Sequence, residues 1–247
     1  MRNMKREIND FCNPIKFESE KVCVTSDWHI PYVDDNLYAG LLKVGNSDYG
    51  NIDLVIAGDF LDTESYSRFT PMAPGSAFFE EVQQGRDYLE EIIPMFKHTY
   101  ICRGNHEKRL IDMNAGKLSM HDIVHMMIPE DMSKREFGVK VTVTQDDHLR
   151  FTQDGKPWMC AHPRNFRIIN LSVARDLAAR YQTNVVVAHG HQMAMGWDRS
   201  GTYRLVDGGG LFDKMQLSYL RETTCYPETK NGFIIVKDNK VTVMESQ

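Results

Sequence analysis

The chain has 247 residues, 42% of them hydrophobic and 26% charged, with a formal net charge of -5 at pH 7. That length buries a sizeable core and fits one large domain or two small ones. The acidic balance argues against broad electrostatic binding to nucleic acid, leaving room only for local basic patches, and no apolar run approaches membrane-spanning length.

Met1 to Asp10 is polar and charged, with no signal-peptide core. Lys21 to Ser26 reads as a buried strand. Asp34 or Asp35 is placed to cap a helix running to about Val44. Ile52 to Ala57 is a second apolar run, followed by a loop with Pro71, Pro74 and Gly75. Ser76 then caps a long helix ending near Pro94, with Glu80 and Glu81 close to its positive end. Thr99 to Cys102 is a third short strand, and the strand-helix alternation predicts an α/β fold with a largely parallel sheet.

Further on, Val139 to Val143 alternates like a half-exposed strand, and Leu149 to Phe151 and Pro157 to Cys160 read as short strands. Ile168 to Tyr181 is helical in pattern, and Val185 to Ala188 is another buried strand. Tyr203 to Val206, Phe233 to Val236 and Lys240 to Met244 are strands, the last two forming a hairpin around Asp238-Asn239. The expected architecture is one domain over residues 1–247, with 1–20 as an N-terminal extension and two packed sheets between outer helices. The five cysteines, Cys12, Cys23, Cys102, Cys160 and Cys225, are scattered, with no C-x-x-C pair. They read as reduced thiols of a cytoplasmic protein, Cys23, Cys102 and Cys160 lying buried in strands.

Five short segments carry metal-ligand chemistry: Asp27-Trp28-His29, Gly58-Asp59-Phe60-Leu61-Asp62, Gly104-Asn105-His106-Glu107, Ala161-His162 and Ala188-His189-Gly190-His191. Almost every one follows an apolar run, and open α/β sheets put their sites at the carboxyl ends of strands. Residues two apart in extended chain point the same way, so Asp27 and His29 can converge on one ion. Carboxylate, imidazole and amide oxygen without thiolate suit Mn²⁺, Fe, Zn²⁺, Co²⁺ or Ni²⁺. Two divalent ions, two ionised carboxylates and one bridging hydroxide leave a net positive site, which attracts a phosphate; ions about 3.5–4 Å apart lower the water pKa toward ~7.

In this order the five segments resemble the calcineurin-like metallophosphoesterase superfamily, over Asp27 to about Gly210. The resemblance implies a four-layer α-β-β-α sandwich, two mixed sheets flanked by helices, and a dinuclear site. Asp27, His29, Asp59 and His191 would hold the first metal, and Asp59, Asn105, His162 and His189 the second. His106 would stay free of metal to stabilise the transition state or protonate the leaving oxygen, with Asp62 orienting it. Two departures stand out: Ala188 replaces the Gly usual before the paired histidines, and Pro163 a Gly often found after the lone one. Asp207-Gly208-Gly209-Gly210 matches the family's glycine turn under the site.

Taken singly, Asp27 and Asp59 read more readily as capping or turn carboxylates than as ligands, whereas Asp62 reads as a partner that orients a site histidine ahead of a surface carboxylate. His121 and His125, four apart, mimic a zinc helix but lack a third ligand, so they read as surface residues; His98 and His148 read as structural or exposed. Arg103, Lys108, Arg109, Arg164 and Arg167 flank ligand segments, and Arg109 and Arg164 are the candidates for binding substrate phosphate. Tyr66, Phe69, Phe78 and Phe79 could form a stacking wall, though core packing is the simpler role for Phe78 and Phe79.

The expected function is phosphodiester hydrolysis on a nucleotide or nucleic acid, by hydroxide attack at two divalent ions, Mn²⁺ first among them. The Arg-Gly that follows the second motif in Ser/Thr protein phosphatases is missing after Asp62. The alternatives are a phosphomonoesterase of nucleotides or proteins and a non-catalytic scaffold of the same fold. No membrane partner is expected.

Overall fold

A computed structural model describes residues 14–67, 76–217 and 229–245. Met1 to Asp10, Cys12, Phe69, Pro71, Pro74, Gly75 and Cys225 lie outside them.

The apolar runs become strands buried on both faces, which is why they read as continuous rather than alternating. In β2 (Lys21–Thr25), Val22 and Val24 face one way and Cys23 the other, and all three are buried. The same holds for β3 (Asp53–Ala57) and β4 (Thr99–Cys102), which with β5 (Val141–Val143) run parallel to β2. The hairpin of β11 (Gly232–Lys237) and β12 (Lys240–Glu245) adds antiparallel to β2, giving the order β12-β11-β2-β3-β4-β5. Asp238 and Asn239 turn that hairpin with φ of 51° and 54°, a conformation their short polar side chains tolerate.

The second sheet contains β1 (Lys16–Glu18), β6 (His148–Gln153), β7 (Lys156–Ala161), β8 (Asn184–Val187), β9 (Met193–Trp197) and β10 (Arg204–Gly208), in the order β1-β6-β7-β8-β10-β9. Residues 16–18, which the sequence assigns to an extension, pair with β6. Both sheets are mixed. Val22, Val24, Val55 and Cys102 of the first meet Leu149, Phe151, Trp158, Cys160 and Val206 of the second in the shared core.

Helices cover the outer faces. On the first sheet lie α1 (Asp35–Ser47), α2 (Phe78–Ile92), α3 (Asn105–Met113), α4 (Met120–His125) and α5 (Lys134–Lys140). On the second lies α6 (Ser172–Tyr181), whose Ala174 and Ala178 pack on Val185, Val187 and Leu205. The order of layers is therefore helix, sheet, sheet, helix. Asp34 caps α1, its side chain accepting from the amides of Asn36 and Leu37. Among the described residues no helix is long and apolar enough to cross a membrane. Cys23, Cys102 and Cys160 are buried free thiols.

Four local expectations are corrected. Val139 and Lys140 close helix α5 rather than opening a strand, because Ser133 caps that helix through Glu136 N and only Val141 to Val143 reach the sheet. Ser76 does not cap α2; its hydroxyl donates to Glu81 Oε1 at 3.0 Å, and the helix begins at Phe78. Residues 168–171 precede α6 as irregular chain, since the buried side chains of Gln192 and Asp207 bond their main chain at Ile168 O and Leu171 N. Phe79 is 75% exposed, while Phe78 packs edge-on against Tyr66 and joins the core.

Candidate metal centre

Every ligand segment emerges at the carboxyl end of a strand: Asp27 and His29 after β2, Asp59 after β3, Asn105 and His106 after β4, His162 after β7, and His189 and His191 after β8. Main-chain bonds join the loops. The amides of Trp28 and His29 donate to Asp59 O at 2.9 and 3.0 Å, and Asp27 N donates to Gly58 O at 3.1 Å. Five of the candidate ligands have left-handed backbone: Asp27, His29, Asp59, His189 and His191, with φ between 47° and 73°. Such conformations cost on the order of 1–3 kcal/mol each and persist only where the surroundings impose them, as at functional sites.

Two glycines of the motifs are explained by space. A Cβ on Gly104 would lie 2.1 Å from Asp59 Oδ1, and one on Gly58, whose φ is +82°, would lie 2.6 Å from His162 Nδ1. Only glycine allows the two loops to approach this closely.

The candidate ligands converge in two clusters, and a further group of His29, Asp62 and His106 shares His29 with the first. Asp27, His29 and His191 form the first, and Asp59, His162 and His189 the second. In the first, His29 Nε2 and His191 Nε2 are 3.2 Å apart, and Asp27 Oδ1 lies 3.2 Å from His191 Nε2. That oxygen is buried and has no partner in hydrogen-bonding geometry. In the second, Asp59 Oδ2 and Asn105 Oδ1 lie 3.2 and 2.9 Å from His162 Nε2. Pro163 does not displace His162 from this group. His189 N donates to Asp27 Oδ2 at 3.1 Å, which ties the clusters together.

The tautomers fit metal binding. His162 Nδ1 donates to Ala57 O at 2.8 Å, and a carbonyl can only accept, so its Nε2 faces Asp59 as a free lone pair or a second N–H. His29 Nδ1 lies 2.7 Å from Asp62 Oδ1, the carboxylate–imidazole support typical of a ligating histidine. The charges agree. Burial opposes ionisation of Asp59, but His162 and His106 overcome it and hold the carboxyl well below its usual range. Burial likewise opposes charge on His162, yet Asp59 and Asp27 push it up to about 10. Burial, reinforced by His162, pulls His189 down to about 4. Two buried carboxylates thus demand positive charge, which divalent cations would supply. A buried carboxylate oxygen faced by imidazole, convergent imidazole nitrogens and this demand fit the binding of divalent metal.

His106 stands beside the clusters. Its Nε2 is 3.9 Å from Asp59 Oδ2, and its Nδ1 donates to the main-chain carbonyl of Asp62. The Asp62 carboxylate is nearer to His29, at 2.7 Å, than to His106 Nδ1, at 3.4 Å. Asp62 therefore touches both histidines, one through each of its acceptors.

Sequence reasoning attached no role to Glu107. It is fully buried, and its carboxylate accepts from Asp59 N at 3.2 Å, Leu61 N at 3.0 Å and Gly104 N at 2.9 Å. The signal was a glutamate at the third position of a helix that begins after Gly104. Replacing Glu107 with Ala strips three buried amides of their acceptor, and we expect a loss of at least ~3 kcal/mol. Urea unfolding of the metal-free protein measures it, and a change under about 1 kcal/mol would contradict this role.

A second buried acid, Glu81 on α2, has its carboxyl pushed up to about 8 by burial, assisted by Asp62 and Glu107. The folded state then binds more protons than the unfolded chain between the ordinary glutamate range and pH 8. Stability falls as pH rises through that window. In Glu81→Gln this contribution to the fall should vanish, read as a flatter urea midpoint from about pH 5 to 8.

Arg109 is half-buried on α3 and Arg164 is exposed after His162; neither makes an ion pair among the described residues. Lys108 pairs with Asp112 at 2.8 Å and Arg167 with Asp176 at 2.8 Å. His121 and His125 lie exposed on α4, His121 Nδ1 bonded to Gln145 at 2.8 Å. His98 is bonded to Thr142 at 2.7 Å, and His148 to Asp147 at 3.0 Å.

Comparison with known proteins places the chain. No curated protein matches it. Among solved structures it is similar to Vps29 from Chaetomium thermophilum, at 12% identity and a TM-score of 0.48 over 92% of this chain and 97% of that one. It is also similar to Zn²⁺-complexed Vps29 from Entamoeba histolytica, at 9% identity and 0.43 over 92% and 98%. A third is YfcE, a phosphoesterase from E. coli, at 14% identity and 0.47 over 90% and 91%. The profile of the calcineurin-like phosphoesterases matches residues 20–210, which contain all five ligand segments, and the chain belongs to that family.

Proposed function

We propose that this protein is a dinuclear metal-dependent phosphodiesterase acting on a nucleotide or nucleic acid. The observation that carries the reading is the convergence of a buried carboxylate and two imidazole nitrogens in each of two adjoining clusters, Asp27 Oδ1 lying 3.2 Å from His191 Nε2 and 3.9 Å from His29 Nε2 in the first. Asp27, His29, Asp59 and His191 would hold one ion and Asp59, Asn105, His162 and His189 the other, with Mn²⁺ the first choice. When bound, such ions polarise phosphoryl oxygens and lower the pKa of a water nucleophile.

The protein's own groups supply the rest. Asp62 and Ala57 O hold His29 and His162 in the tautomer that presents Nε2. The Asp62 carbonyl keeps the proton of His106 on Nδ1, so a second proton, at Nε2, is the one that passes to the leaving oxygen as the P–O bond breaks. In the metal-free protein, His162 does most, against burial, to hold Asp27 and Asp59 ionised, a role that the cations would take over. With no lysine or arginine paired to either cluster among the described residues, a diester monoanion suits the site better than a monoester dianion.

The test is hydrolysis of bis-p-nitrophenyl phosphate beside p-nitrophenyl phosphate in Mn²⁺, with Asp59→Asn as the blank. Faster turnover of the diester is expected. A preference for the monoester would move the reading to a phosphomonoesterase, and no turnover with two ions bound would count against the phosphodiesterase reading, leaving a more demanding substrate or a scaffold. Mn²⁺ at about 100 times its Kd should add ~2.7 kcal/mol of stability for each site filled, seen as a raised Tm that chelator reverses.

A further inference from the structure

Glu81 lies outside every ligand segment, yet it is 0% exposed. It sits on the first turn of α2, whose Val82, Leu89 and Ile92 anchor the helix in the core. Its Oε2 accepts from Thr63 N at 2.8 Å, and its Oε1 accepts from Ser76 Oγ at 3.0 Å. Thr63 is fully buried, with φ of 49°, and its hydroxyl donates to His106 O at 3.1 Å.

The Thr63 N–H and the Asp62 C=O belong to one peptide group. That group is planar, so its N–H and C=O turn together. Glu81 holds the N–H, and His106 Nδ1 donates to the C=O. Rotation of this peptide would break both bonds at once. A left-handed threonine next to it is a costly conformation that needs such a clamp. An acceptor on the N–H also polarises the carbonyl and strengthens its bond to the imidazole.

We infer that Glu81 is a positioning residue for His106, fixing the Asp62–Thr63 peptide that orients the imidazole. The inference rests on the phosphodiesterase reading insofar as His106 assists the leaving group. Glutamine keeps the shape of Glu81 and one oxygen to accept from Thr63 N.

The experiment compares Glu81→Ala, Glu81→Gln, His106→Ala and the Glu81→Ala/His106→Ala double variant on two diesters, bis-p-nitrophenyl phosphate and diphenyl phosphate. Phenol is the poorer leaving group and needs the proton more. Glu81→Ala should lose about tenfold more kcat on diphenyl phosphate than on the nitrophenyl diester. Glu81→Gln should restore most of the rate, and Glu81→Ala should cost nothing further once His106 is gone. Equal losses on both diesters, or losses that add in the double variant, would overturn the inference.

A second readout needs no turnover. In the NMR spectrum of the metal-free protein, the His106 Nδ1–H resonance should be protected from exchange in the wild type and in Glu81→Gln, and lost in Glu81→Ala. Its persistence in Glu81→Ala overturns the inference. A wild type without turnover on either diester would count against the phosphodiesterase reading, and this resonance would still decide the role of Glu81. Should the alanine variant fail to fold, Glu81→Met takes its place, keeping the bulk and removing the acceptor, with the same outcomes deciding the inference.

Discussion

Asp59→Asn is expected to abolish binding of both divalent ions together with hydrolysis of bis-p-nitrophenyl phosphate. The proposed ligand sets share the Asp59 carboxylate, whose Oδ2 is 3.2 Å from His162 Nε2 and whose Oδ1 accepts from His106 N at 2.9 Å. The amide has the same shape but no charge, and its NH₂ offers protons where a cation would sit. Asparagine tolerates the φ of 48° found there, so the loop and fold should survive. Loss of a ligating carboxylate should lower kcat at least ~10³-fold, the scale at which central electrostatic groups act. Metal content by mass spectrometry and turnover on the same preparation read both effects. Two ions retained per chain would remove Asp59 from the ligand set.

His106→Ala is expected to keep its metal and lose turnover. His106 belongs to neither of the two groups assigned to the ions, its Nδ1 being occupied by the Asp62 carbonyl. Alanine is a good helix former at the start of α3, so the helix should persist. General-acid assistance contributes about 10²–10⁴-fold, so the loss should fall in that range for a poor leaving group and shrink for nitrophenol. Equal losses for both leaving groups would contradict proton donation, and loss of metal would make His106 a ligand. The alternative has a geometric basis, since His29, Asp62 and His106 also lie close enough to form a third group around one ion.

Much of this was written in local sequence. Val22 to Val24 and Leu54 to Ile56 announce strands buried on both faces, because apolar side chains on both sides of a strand need a layer on each side. Asp34 announces a helix start because its side chain satisfies amides two and three residues on. The five ligand segments are legible because carboxylates and imidazoles directly after apolar strands are rare outside sites. In two places a nearby residue outside the expected pattern decided the outcome. Ser76 looks like a cap, but Glu81 takes its hydroxyl. Val139 alternates like a strand, but the Ser133 cap extends a helix through it.

The sequence by itself determined the α/β class, most strand positions and the residue types of a metal centre, because periodicity and motif order are local properties. Tertiary structure alone decided that Asp62 serves His29 with its carboxylate and His106 with its carbonyl, and that Glu107 and Glu81 hold the loops from beneath. Those cross-loop partners lie 18 to 48 residues away in the chain, and a buried acid finds such donors by three-dimensional approach rather than by spacing.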